Sequence, residues 1–171
     1  MRKNPVRRSL LLAPFAWAFS ARAQTTVTPL LLAHAGRLLA TLIQAGREAA
    51  IAAGVKPVPP RIHRALLGYF PDSVLRKVRY ASGHAEAITI PGLVMTYGHF
   101  DAVTLGDVIL FRDEDDAADD AKLWAHELTH VMQYERWGTD GFAKRYIEDR
   151  DAIEREARGN AERFLRWREQ V

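Results

Sequence analysis

No cysteine occurs among the 171 residues. Its absence excludes disulfides, a thiol nucleophile, thiolate metal ligands and a lipid anchor carried on cysteine. Any metal in this chain must therefore be held by histidine and carboxylate groups. Acidic residues are missing before position 24, where Arg2, Lys3, Arg7, Arg8 and Arg22 stand. Beyond that point 19 basic residues face 21 acidic ones, a net charge of −2. The basic pI thus belongs to the leading segment, and the body has no global attraction for nucleic acid. Internal repeats, low-complexity tracts and signs of a second domain are also lacking. With 48% hydrophobic and 26% charged residues, the chain has the composition of one ordinary folded domain.

The first 23 residues have three parts. Met1 to Arg8 is basic, Ser9 to Phe19 is apolar, and Ala21-Arg22-Ala23 places small residues where signal peptidase reads. This succession predicts a secretory signal peptide cleaved before Gln24, and hence an exported protein, periplasmic or secreted. Its apolar part is too short to span a bilayer, so no stable membrane insertion is expected once the leader is removed. Arg7-Arg8 hints at twin-arginine export without completing that pattern.

Residues 24–60 read as an N-terminal helix and a proline-rich linker. Leu31, Leu38, Leu39 and Leu42 recur at helical spacing over Thr28–Ala53, and Gly54, Pro57, Pro59 and Pro60 follow. Residues 61–171 form the remaining domain. It begins with a short helix over Arg61–Phe70, with Ile62 and Leu66 on one side. After Pro71-Asp72-Ser73 come β-prone pieces, Val78-Arg79-Tyr80 and Ala87-Ile88-Thr89-Ile90, and a turn at Pro91-Gly92. Val103–Phe111 predicts a hairpin turning at Gly106-Asp107. The acidic run Asp113–Asp120 lacks the spacing of a calcium loop. It reads as a solvated loop that favours the N-terminus of the next helix. That helix covers Ala121–Trp137, with Trp124, Leu128, Val131 and Met132 as its apolar stripe. Gly138-Thr139-Asp140-Gly141 ends it, and Phe142–Trp167 is helical again, in one or two pieces. The fold class is α+β: a small β-sheet or hairpin packed on the Ala121–Trp137 helix and a C-terminal helix, with an extra N-terminal helix.

The chemistry is concentrated in Trp124-Ala-His-Glu-Leu-Thr-His-Val-Met-Gln133. His126 and His130 lie four residues apart on one helix face and can place one imidazole nitrogen each on a single zinc ion. Glu127 projects beside that ion without having to ligate it. It can take a proton from the attacking water as general base and pass it to the leaving amine. A catalytic zinc usually has three protein ligands, and no histidine follows His130. A carboxylate from the following helix is the natural third, with Glu148, Asp149, Asp151, Glu154, Glu156 and Glu162 as candidates.

His126-Glu-Leu-Thr-His-Val-Met-Gln133, followed by Ile153-Glu-Arg-Glu-Ala157, resembles a family of metallopeptidase-like domains of unknown function, also called the extracellular contractile-injection-system core domain. Tyr69-Phe-Pro, Val78-Arg-Tyr80 and Ala102–Phe111 fit as well, so the resemblance runs from about Arg61 to Arg166. It implies a compact gluzincin-like, zincin-like core. By analogy with gluzincins carrying E-x-x-A-D it implies Glu154 as the third ligand, with Glu156 as the fallback. Two residues apart on one helix, the two glutamates face roughly opposite ways. The chain departs from the gluzincin pattern at Arg158. The usual acid there often supports a ligating histidine, so its loss leaves open how His126 or His130 is oriented.

Two functions follow from this reading. One is zinc-dependent hydrolysis of a peptide or protein substrate, with a strand near Val108–Phe111 aligning an extended chain. The other is a non-catalytic, zinc-stabilised interaction module associated with a secretion or injection apparatus. Tyr146 is a candidate donor to a developing oxyanion, set against a plain core role. His34 reads as a packed helix residue. His99, in Tyr97-Gly-His-Phe100, is a candidate neighbour of the site, set against a structural or exposed loop role, and His63 and His84 have no partner evident in the sequence.

Overall fold

A computed structural model describes residues 29–83 and 101–171. The leader 1–23, the strand piece Ala87–Ile90, the turn at Pro91-Gly92, and His84 and His99 lie outside the described residues. The architecture is α+β, mostly helical, with one four-stranded sheet.

Helix α1 spans Pro29–Ala53 and stops before Gly54, whose φ of 107 favours glycine. The expected leucine stripe is not the seam it buries. Leu31 and Leu38 are 60% and 62% exposed, whereas Gly36, Ala40, Ile43, Gly46 and Ala50 are buried. The cause is a close backbone approach: a Cβ on Gly36 would lie 3.3 Å from Lys144 Cα, so small residues win this face. Leu39 and Leu42 pack at the margin. His34 is exposed rather than packed, its Nδ1 2.8 Å from the carbonyl of Leu30. We expect Gly36→Leu to lower the free energy of unfolding by about 1–3 kcal/mol through overpacking, with Gly36→Ala milder, as read by denaturant titration.

Strand β1 (Lys56–Pro57) precedes helix α2 (Pro60–Leu66), which carries proline at its first position and buries Ile62 and Leu66. This helix is shorter than expected. Leu67 turns extended and Gly68 has a φ of 94, which together end it. Helix α3 (Asp72–Lys77) was not expected. Asp72 in its first turn and Arg76 and Lys77 in its last suit the helix dipole, while Val74 and Leu75 are buried. Strands β2 (Arg79–Ser82), β3 (Ala102–Leu105) and β4 (Val108–Phe111) complete the sheet in the order β1-β2-β4-β3. Central β4 pairs parallel with β2 and antiparallel with β3, and all four of its residues are buried, which explains its unbroken Val-Ile-Leu-Phe. The hairpin turns at Gly106-Asp107 as expected. Glycine with a φ of 71 takes the first central position, as a two-residue turn of the II′ kind requires.

The acidic run is not a loop: Glu114–Asp119 forms helix α4 with Ala117 buried and three acids in its first turn. Asp120 then caps the next helix, its carboxylate accepting from the Leu123 amide at 2.8 Å. Helix α5 (Ala121–Arg168) is broken at Gly138 (φ 67, ψ 171) and at Asp149 (φ −153, ψ 76). The first break is one residue long, shorter than the expected four, and the second divides the expected C-terminal helix into two pieces. Asp149 starts the last arm by accepting from the Ala152 amide at 2.9 Å. The arm 150–168 returns across the arm 121–137, joined by Asn160 to Thr129 and by Gln133 to the carbonyl of Ile153. Trp124, Leu128 and Val131 of the expected stripe are buried there, and Met132 is partly buried. Among the described residues no helix is long and apolar enough to cross a membrane.

Candidate metal centre

The crossing of those two arms brings three side chains together. His126 Nε2 and His130 Nε2 are 3.2 Å apart, one turn up the same helix face. From the returning arm, Glu154 Oε2 lies 3.3 Å from His126 Nε2, and Oε1 lies 3.8 Å from His130 Nε2. Ligand atoms of all three fall within 4.8 Å of one another, forming a group that could hold a metal ion. Neighbouring ligands on a tetrahedral ion bound at about 2.1 Å sit about 3.4 Å apart, and the observed separations bracket that value. Two imidazoles and a carboxylate are also the donor chemistry that zinc accepts.

The support of His130 is fully determined. Gln133, wholly buried, has its amide nitrogen facing two acceptors, the Ile153 carbonyl at 3.3 Å and Glu156 Oε2 at 3.0 Å. Its oxygen therefore faces His130, and His130 Nδ1–H donates to it at 2.8 Å. That leaves the Nε2 lone pair directed at the site, the tautomer a metal requires. Glu156 thus stands two steps away from the ligand group, bound to Gln133 and to Arg136 at 3.1 Å. Arg158 lies 4.0 Å from Glu154 Oε2, and the support that an acid at position 158 would give one histidine comes here, for His130, from Gln133.

Glu127 sits beside the three, only 4% exposed, and lines the same cavity as His126, His130 and Glu154. Thr104 Oγ1 on strand β3 donates to its Oε2 at 2.6 Å. Tyr146, on the middle arm, donates to Glu154 Oε1 at 3.3 Å. Tyr134 donates to the carbonyl of Thr104 at 3.3 Å and stacks on Phe142, whose ring stands edge-on to His130. The other expected candidates lie elsewhere: Glu148 pairs with Lys144, Glu162 with Lys122, Asp149 caps its helix, and Asp151 is exposed. His63 meets Asp72 at 3.0 Å, away from the site. Strand β4 cannot align a chain along the cleft, because both its edges are used by β2 and β3; among the described residues the outer strand beside the site is β3.

Burial disfavours charge on both His126 and Glu154, yet their mutual hydrogen bond and the fields of nearby groups outweigh it. His126 is raised above its usual 6.5 and Glu154 lowered below its usual 4.5. In the metal-free protein the raised histidine stabilises the fold fully below 6.5, and that part is lost as pH rises through its folded value. The lowered carboxylate stabilises above 4.5, lost as pH falls through its folded value. A metal must displace the His126 proton. Zinc should therefore raise the melting temperature much more at pH 8 than at pH 5.5. An equal rise at both would refute the role of His126 as a ligand.

Residues 57–138 match the family described as the eCIS core domain. His126, Glu127, His130 and Gln133 fall inside that segment, and Glu154 falls beyond it. No curated protein and no solved structure matches the chain.

Proposed function

We propose that this protein is a zinc-dependent metallopeptidase with His126, His130 and Glu154 as ligands and Glu127 as general base. The observation that carries this reading is Glu127 itself. A structural ion needs only its ligands, yet among the described residues a fourth acidic or basic side chain, itself buried, shares their cavity and stays outside the ligand group. Burying such a carboxylate is unfavourable unless something compensates for it, and a base for the attacking water is a use that keeps it. When bound, zinc supplies Lewis-acid polarisation of the scissile carbonyl and lowers the pKa of water.

The chain's own residues do the rest. Thr104 fixes one oxygen of Glu127, so the other is the one available to the cleft. That oxygen takes the proton of the attacking water as the new C–O bond forms. It returns the proton to the nitrogen as the C–N bond breaks, leaving an amine and a carboxylic acid, whose remaining proton passes to the amine to give an ammonium and a carboxylate. Gln133 holds His130 in its ligating tautomer, and the Tyr146 hydroxyl steadies the Glu154 carboxylate. The leader pattern of residues 1–23 supports an exported protein, with this chemistry outside the cytoplasm.

The test is metal content and hydrolysis of an internally quenched peptide library by wild type and Glu127→Gln. About one zinc per chain with no cleavage of any peptide would favour the second reading, a zinc-stabilised interaction module of a secretion or injection apparatus. The match to the eCIS core domain supports the association with an injection apparatus in that reading, and is silent on catalysis.

A further inference from the structure

Arg158 stands on the returning arm at the mouth of the site. With Asp101, Ala102, Lys122, His126 and Glu154 it lines an outer cleft that opens from the candidate metal centre. Among the described residues, the other charges of that cleft outside the candidate centre are engaged. Lys122 holds Glu162 at 2.5 Å, Asp101 meets Arg112 at 3.4 Å, and Asp120 caps its helix. Arg158 is different: its side chain is 60% exposed, and its carboxylate contact is Glu154 at 4.0 Å, beyond hydrogen-bonding distance. Glu127 and Glu154 together carry the charge that a divalent ion would balance, which leaves the guanidinium lining the cleft without a hydrogen-bonded carboxylate of its own. A guanidinium offers a planar fork suited to a carboxylate, and its loose contact with Glu154 contributes little to stability.

We propose that Arg158 is a specificity-determining residue that receives a carboxylate of the bound peptide, either an acidic side chain near the scissile bond or the chain terminus. This inference rests on the metallopeptidase reading and names the substrate class for it: peptides carrying a negative charge close to the bond that is cut.

The zinc-loaded full chain is tested on matched quenched peptides with Glu, Gln or Lys scanned through the positions around the cleaved bond, each as free acid and as amide. One position should favour Glu over Gln by about 10- to 100-fold, expressed mainly in KM. A preference for free acid over amide would instead identify the terminus as the source of the carboxylate. Arg158→Gln should erase that preference with zinc content unchanged, and Arg158→Glu should turn it towards Lys. An unselective wild type, a preference that survives Arg158→Gln, or zinc lost in that variant would overturn the proposal; the last would make Arg158 a support of Glu154. Binding of the same peptides to the Glu127→Gln protein, followed by calorimetry, separates the two readings. If wild type cleaves nothing, the hydrolytic reading fails. An Arg158-dependent preference in binding would still uphold a carboxylate site, and its absence would reject one.

Discussion

Glu127→Gln should lower peptide hydrolysis by about 10²- to 10⁴-fold, the usual contribution of a positioned general base, while zinc per chain stays the same. The substitution keeps the shape of a side chain that is 4% exposed, so packing is undisturbed. Thr104 Oγ1 can still donate to the amide oxygen placed where Oε2 stands. The amide nitrogen then faces the cleft, and it cannot accept a proton from water. Cleavage rates and elemental analysis of the same preparation decide the matter. Activity within a few-fold of wild type would remove Glu127 from the mechanism. Loss of zinc would make it a ligand instead.

The motif residues were legible because helix periodicity is local. His126 and His130 are one turn apart in any helix, so their convergence follows from spacing alone. The hairpin was legible for the same reason, since Gly106-Asp107 between two β-prone runs specifies its own turn. What the sequence hid is what depends on long-range contact. Thr104 reaches Glu127 across 23 residues, and nothing in either segment announces the pairing. Gln133 could have been found, being three residues after His130 on the same face, but its anchoring by Glu156 needs the return of the last arm. The leucines of α1 misled because hydrophobicity was weighed without the partner. Opposite a backbone that comes as close as Lys144 does to Gly36, size decides which face is buried. The acidic run misled because a short helix can form from acids when its first turn welcomes negative charge.

Glu154→Ala should abolish stoichiometric zinc binding, because it leaves two imidazoles where three ligands stood. The loss should exceed the about 10- to 100-fold fall in affinity expected when an outer partner of a ligand is removed. Glu156→Ala provides that comparison. Glu156 does not touch the ligand group; it holds the amide of Gln133, which in turn fixes His130. Gln133→Leu removes the same support more completely, leaving the His130 Nδ1–H without its acceptor. It should weaken zinc within the same 10- to 100-fold range and cost about 1–3 kcal/mol of stability for the orphaned polar groups. The ordering is therefore Glu154→Ala worst, Gln133→Leu next and Glu156→Ala mildest, measured as zinc affinity by competition with a chromogenic chelator. The reverse order for the two glutamates, with Glu156→Ala stripping the metal and Glu154→Ala retaining it, would show that the arm 150–168 turns a different face to the ion. Retention of zinc by both would move the third ligand off this arm, since the other acids of the arm 139–148 and of the last arm are paired, capping or exposed.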